Sequence, residues 1–195
     1  MASRRTHHRP RDRSVECELK FRVKGPRDHA RLRSELRKRG ARLEGKYDEE
    51  NYRFDGPGKS TRRTTLRLRV LNGGPRGVLT AKGPASFVGG VKVREETEVE
   101  VKDAHATLDL LTELGFRVEF TYKKRRAMWT LDGVVTVTLD TLDFGSFVEL
   151  EGPLEVLPEK ARGLDLDPKT ALKDSYSVLA RKHLQSSKRA SAKTA

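Results

Sequence analysis

The chain has 195 residues, of which 35% are hydrophobic and 35% charged, with a formal net charge of +13. That length suits one sizeable core and is short for two. There is no run of about 18 apolar residues and no apolar stretch of a secretory signal near the N-terminus, so a helical membrane span and export are not expected and the expected compartment is the cytoplasm. Residues 1–13 hold five arginines against Asp12, and residues 181–195 hold five lysines or arginines and no acid, so these ends carry +9 and leave only +4 between them. Both ends are rich in Ser, Ala, Lys and Arg and poor in large apolar residues. We expect disordered basic tails at 1–13 and 185–195 around one domain over 14–184. Cys17, the sole cysteine, excludes an intrachain disulfide.

The first element, VECELKFRV at 15–23, alternates Val15, Cys17, Leu19, Phe21 and Val23 with Glu16, Glu18, Lys20 and Arg22, which predicts a strand with one apolar and one charged face. For a single strand, water is a sufficient explanation of the charged face. A helix follows over 27–39, with Leu32 and Leu36 one turn apart and Gly40 as its stop. TTLRLRVL at 64–71 repeats the strand pattern, with Arg67 and Arg69 opposite Leu66, Leu68 and Val70, and GVLTAKGP brings Lys82 just before a Gly-Pro turn. In VKVREETEVEV at 91–101, Lys92, Arg94, Glu96, Glu98 and Glu100 share a face. A second helix over 104–114 starts from Asp103 and stops at Gly115. FTYKKRRAMW at 120–129 aligns Phe120, Tyr122, Lys124 and Arg126, although either Lys123 and Arg125 or Lys124 and Arg126 could face inward. Two strands over 134–152 carry Asp140, Glu149 and Glu151, and further helices are expected near 154–162 and 168–184. The class is α+β with strands dominant.

A weak echo runs through this order. Glu16-x-Glu18, a helix and Gly40-Ala41-Arg42-Leu43 correspond to Glu96-x-Glu98, a helix and Gly115-Phe116-Arg117-Val118. Two such halves could close an antiparallel barrel around the charged residues. Seven cations (Lys20, Arg67, Arg69, Lys82, Arg94, Lys124 and Arg126) and seven acids (Glu16, Glu18, Glu96, Glu98, Asp140, Glu149 and Glu151) would then point inward. Burial on that scale costs several kcal/mol per charge unless pairs or a ligand compensate. Cations suit phosphate oxygens and carboxylates suit hard divalent ions, so a metal-bound polyphosphate satisfies both sets.

Glu16-x-Glu18-x-Lys20, YDEENYRFD, LRLR, LTAKGP, VREETEVEV, YKKRRAMW, the pair LD and GSFVELEGP, and a terminal SYSVL resemble, in that order, the CYTH superfamily. This group, also called triphosphate tunnel metalloenzymes, includes class IV adenylyl cyclases, thiamine triphosphatases and inorganic triphosphatases. The resemblance implies an eight-stranded antiparallel β-barrel, a triphosphate tunnel, with flanking helices. It implies that Glu16, Glu18, Asp140, Glu149 and Glu151 hold Mg²⁺ or Mn²⁺. It implies further that Lys20, Arg67, Arg69, Lys82, Arg94, Lys124 and Arg126 line the triphosphate site, the family spacing favouring Lys124 and Arg126 over their neighbours.

The expected activity is divalent-metal-dependent hydrolysis of an inorganic, thiamine or nucleoside triphosphate, with Glu96 or Glu98 orienting the attacking water. The alternative is cyclisation of ATP to cyclic AMP and pyrophosphate. A non-catalytic polyphosphate- or RNA-binding module is the reading from another class; with 6% aromatic residues and no stacking motif, nucleic acid is not the expected partner, nor is a membrane. Oligomeric state is not legible. The five histidines form no ligand cluster, and the Gly-rich turns match no phosphate loop. Neutralising Glu149 is expected to relieve repulsion within the acid cluster. Tyr176 and Leu179 are read as helix packing, with a tunnel plug as the other reading, and the role of Lys173 is open.

Overall fold

Period-two alternation becomes strand wherever the sequence shows it in the computed structural model, which describes residues 14–57 and 64–194, with side chains through 186. The elements are β1 (Ser14–Val23), α1 (Pro26–Lys38), β2 (Arg42–Asp55), β3 (Thr65–Leu71), β4 (Gly77–Lys82), β5 (Ser86–Val88), β6 (Val91–Val101), α2 (Ala104–Glu113), β7 (Arg117–Leu131), β8 (Val135–Leu142), β9 (Gly145–Glu151), α3 (Leu157–Gly163), a 3-10 turn at Pro168–Thr170, and α4 (Tyr176–Thr194). Antiparallel pairing runs β1-β9-β8-β7-β2-β3-β4-β6, and β6 returns to β1, so eight strands close a barrel. The three residues of β5 pair with β6 on the side that β4 uses, prolonging that seam. Closure leaves no free edge among the eight strands. The echo in the sequence has a structural counterpart. β1-α1-β2 and β6-α2-β7 are matching units, joined where β1 pairs with β6 and β2 with β7.

Helix ends follow local chemistry. Pro26 opens α1, where its missing N–H costs nothing, and Gly40 follows the helix at φ 71°, a conformation that suits glycine. Asp103 caps α2 by accepting from Ala106 N at 2.9 Å.

The apolar core lies outside the barrel. Leu19, Phe21, Trp129, Val137, Leu139, Val148 and Leu150 point outward and are covered by Leu32 and Leu36 of α1 and by Leu157 and Ala161 of α3. Cys17 packs at the edge of this cluster. On the other flank, Phe54, Leu68 and Val70 meet Ala104 and Leu111 of α2. Each large side chain fully buried this way contributes about 1.5–3 kcal/mol. Stability therefore comes from the outer layer, which leaves the inner face to charge.

The C-terminal segment departs from the sequence reading. Pro168 opens only a 3-10 turn, because the chain then runs along β1, where Leu172 N donates to Lys20 O at 2.7 Å instead of to a helical carbonyl. The last helix begins at Tyr176, not Pro168. It continues to Thr194, so the tail expected from 185 is helical there, in keeping with its Ala, Lys and Arg content. The N-terminal tail, 1–13, lies outside the described residues. Among the described residues no helix is long and apolar enough to cross a membrane.

Candidate active site

Inward-facing residues surround a cavity of about 560 Å³. Its wall includes all seven expected cations, together with Glu16, Glu18, Glu96, Glu98, Glu149 and Glu151. The side chains of Lys124 and Arg126 turn inward and are buried, whereas Lys123 and Arg125 are exposed, which settles the register of the KKRR run. Asp140 departs from the group: it is fully buried but is not part of the wall, and it stands behind Arg126.

Ion pairs bind the wall together. Arg126 reaches Asp140 through Nε at 2.7 Å and Nη2 at 2.6 Å, and its Nη2 also meets Glu149 Oε2 at 2.5 Å. Lys20 Nζ bridges Glu18 at 2.7 Å and Glu149 at 3.0 Å. Lys82 Nζ lies 2.5 Å from Glu96 Oε1 and 3.3 Å from Glu16 Oε2. Arg94 is tethered to backbone by hydrogen bonds from Nε to Gly83 O and from Nη2 to Lys82 O, and it also donates to Thr65 Oγ1. Thr80 donates to Glu98 at 2.7 Å and accepts from Arg67.

Three donors on the wall lack a hydrogen bond. The Nε groups of Arg53, Arg67 and Arg69, all on the cavity wall, are buried without a hydrogen bond. A buried charged donor without a hydrogen bond is costly, and three around one cavity, Arg69 Nε having only a 3.4 Å approach to Glu49, fit an anionic ligand that would accept from them.

Proton affinities follow the pairing. Burial raises the Glu49 and Glu16 carboxyls, but Lys124, Arg126 and Arg69 hold Glu49 down to about 2, and a hydrogen bond from Glu96 together with the charge of Lys82 holds Glu16 down to about 2. Burial and the hydrogen bond to Glu16 push Glu96 up to about 8. Glu151 is pushed up to about 8 by burial and then by the Glu16 and Glu149 charges. Burial also opposes ionisation of Glu149, but Lys20, Arg126 and Lys124 keep it well below the usual carboxylate range. This reverses the expectation that neutralising Glu149 relieves repulsion, since its nearest charges are cations.

Among the described residues no three acids converge as a ready-made metal site, and Glu18 and Glu149 are each engaged by cations. The donors are nevertheless all carboxylate oxygens, and the crowding that makes Glu96 and Glu151 hard to ionise is what a hard divalent cation relieves. The set therefore fits such an ion.

Two residues of β2 escaped the sequence reading: Arg53 lines the cavity and Glu49 is buried among its cations. Lys92 and Tyr122, which the sequence placed in the charged register without a role, and Tyr176 also line it. Tyr47, Glu49, Asn51 and Arg53 do alternate, which was the available signal, but Asp48, Glu50 and Tyr52 between them blur the contrast. Tyr176 packs with Tyr122, Leu142, Phe147 and Leu179, so its helix both packs and lines one side of the cavity. Lys173 Nζ stands 5.6 Å from the Phe87 ring centroid, outside the cavity wall. His29 is buried with its Nε2 3.1 Å from Phe147 O, in packing rather than at the site.

The CYTH domain model matches residues 14–161. The chain belongs to the CYTH family. Among CYTH relatives, a Methanocaldococcus jannaschii protein named "putative adenylate cyclase" is 26% identical over 151 residues, covering 77% of this chain and 84% of that protein. A solved Pyrococcus horikoshii structure aligns at 27% identity and TM-score 0.70 over 84% of this chain and 98% of its own. A Hippeastrum protein, described as an adenylyl cyclase by name with a dominant triphosphatase activity, shares the fold at 19% identity and TM-score 0.65, covering 86% of this chain and 96% of its own. CYTH proteins bind triphosphate substrates and typically use a divalent metal. The matched span holds every wall acid and cation named above and ends within α3.

Proposed function

We propose that this CYTH protein hydrolyses an inorganic, thiamine or nucleoside triphosphate inside its barrel with the help of Mg²⁺ or Mn²⁺. The observation that carries this reading is the set of buried Nε donors of Arg53, Arg67 and Arg69, none of them hydrogen-bonded, around one cavity. Phosphate oxygens are the acceptors that a guanidinium fork grips best. Lys20, Lys82, Arg94, Lys124 and Arg126 complete the cationic lining, while Asp140 and Glu149 fix the guanidinium plane of Arg126.

Glu16, Glu18, Glu149 and Glu151 are the residues that would hold the divalent ion, with Asp140 supporting them from behind Arg126. When bound, the ion neutralises phosphate charge and so favours attack of water at the terminal phosphorus. Of the two candidates for orienting that water, Glu98 is the better suited. It is half-exposed to the cavity and held by the Thr80 hydroxyl, whereas Glu96 is engaged by Lys82 and retains a proton up to about pH 8.

A second reading, cyclisation of ATP, is favoured by the name of the M. jannaschii relative. Product analysis separates the two. Incubation with inorganic triphosphate, thiamine triphosphate or ATP and Mg²⁺ or Mn²⁺ should release orthophosphate from at least one of them. Cyclic AMP and pyrophosphate as sole products, with inorganic triphosphate inert, would establish the cyclase. Tight binding without turnover of any triphosphate would make the protein a binding module.

A further inference from the structure

An irregularity of β7 lies directly across from Arg53. β2 and β7 pair residue for residue from Tyr47–Arg126 to Arg53–Phe120, and the next pair is Phe54–Val118, so Glu119 is an extra residue, a β-bulge. Two residues of a bulged strand oppose one of its partner. Glu119 and Phe120 thus share the side of Arg53, where regular alternation would turn Glu119 to the opposite face of the sheet. Pairing resumes with Phe54–Val118 and Asp55–Arg117, so the bulge does not serve to end the ladder.

The two bulge residues go to different neighbours. Phe120 stacks with Tyr122, ring centroids 6.0 Å apart, and packs in the cluster that holds Tyr176 and Leu179 of α4. The Glu119 carboxylate meets two guanidiniums at once: Oε2 accepts from Arg53 Nη1, and Oε1 accepts from Arg181 Nη2 of α4. Arg53 lines the cavity and Glu119 does not. Arg53 is therefore anchored through Nη1 from outside the cavity, while its Nε is buried without a hydrogen bond.

Resting on the triphosphate reading, we infer that Glu119 is a positioning residue that keeps the Arg53 guanidinium on the cavity wall beside Arg67. Arg53 stands directly opposite Arg67 of β3, and like charges placed so repel. The Arg53 side chain is 21% exposed, so without an anchor it can relieve that repulsion by swinging into solvent. A triphosphate would then have to order a long side chain and bring two cations together as it bound. Glu119 does both before the ligand arrives, and it does so without adding a carboxylate to the wall that phosphate meets. Arg181 restrains the carboxylate from its other side, which makes α4 part of the support for Arg53.

The test is a double-mutant cycle on binding of inorganic triphosphate to the purified full chain, read by titration calorimetry in wild type, Glu119→Ala, Arg53→Ala and the two combined. Glu119→Ala should weaken binding by about three- to tenfold, the range for ordering one long side chain. Added to Arg53→Ala, the same change should cost less than about twofold, because the side chain it positions is gone. Glu119→Gln, which can still accept from Nη1, should recover part of the loss. A merely structural role would weaken binding equally in both backgrounds, which would overturn the inference. Unchanged or tighter binding in Glu119→Ala and Glu119→Gln would overturn it too, since the carboxylate would then act on phosphate only by repulsion. If wild type bound no triphosphate, the functional reading would fail and the positioning role with it; wild-type binding that Arg53→Ala left intact would sink the positioning role alone.

Discussion

The hydroxyl of Tyr176, on α4, donates to Asp140 Oδ2, on β8, over 2.8 Å, and the same ring centroid lies 4.3 Å from Lys20 Nζ. One side chain thus joins the C-terminal helix to the carboxylate that aligns Arg126 and to a lysine of the cavity wall. Tyr176→Phe keeps the ring and removes the donor to a buried carboxylate paired with Arg126. It should cost about 1.5–3 kcal/mol in urea unfolding, the range for a hydrogen bond to a charged group. A loss below about 0.5 kcal/mol would mean that Arg126 and Lys124 already satisfy Asp140 without it.

Glu149 answers two buried cations, Lys20 and Arg126, so Glu149→Gln leaves both under-compensated. The metal-free protein should lose about 3–5 kcal/mol, the usual consequence of breaking a buried pair from one side. Thermal melts and denaturant unfolding read this directly. An unchanged or raised Tm would restore the view that repulsion among acids dominates here.

Arg67 is different in kind, because its Nε has no acceptor and its Nη2 makes only a 3.3 Å bond to Thr80 and a 3.7 Å approach to Glu98. Arg67→Ala should therefore weaken triphosphate binding by about tenfold to a hundredfold, equivalent to one or two charge-assisted hydrogen bonds, with a smaller loss of stability than in Glu149→Gln. Unchanged triphosphate affinity would remove Arg67 from the binding set.

The pH dependence of stability has two limbs. Glu49 and Glu16 have folded-state values near 2, below the ordinary 4.5, so their contribution is present above about 4.5 and disappears as pH falls through 2. Glu96 and Glu151, near 8 in the fold, favour the folded state in their protonated forms, and that contribution is complete below about 4.5 and lost as pH rises through 8. Metal-free protein should thus be most stable near pH 4.5–5, with Tm dropping by roughly 5–10 °C on the way to pH 8. Added Mg²⁺ should recover part of that loss at pH 8. A Tm that rises steadily from pH 5 to 8 would contradict the assignment of the two raised carboxyls.

Much of the fold was legible because alternation is a local property. In VECELKFRV each residue's face follows from its neighbours, and the outward Leu19 and Phe21 and inward Glu18 and Lys20 sit where that pattern put them. The same rule placed Arg67 and Arg69 together and left only a choice of register in the KKRR run. β2 was harder to see, because Asp48 and Glu50 on its outer side make both faces polar, and so Glu49 escaped notice. The start of α4 was misplaced because Pro168 is a valid helix opener locally, while the bond from Leu172 N to Lys20 O, across some 150 residues of chain, is not local at all.

What the sequence by itself determined is most of the inventory: the strands with one apolar and one charged face, which face of each is charged, and hence that the barrel interior is polar and its apolar core external. Tertiary structure alone decided who pairs with whom. Glu16, Glu18, Asp140 and Glu149 are the same residue class in the sequence, yet one shares a hydrogen bond with Glu96, one is held between Lys20 and Lys92, one stands behind Arg126, and one bridges Lys20 and Arg126. The reason is that face is set by backbone period within a strand, whereas the partner of a charge depends on distances of a few ångströms between strands that only barrel closure brings together.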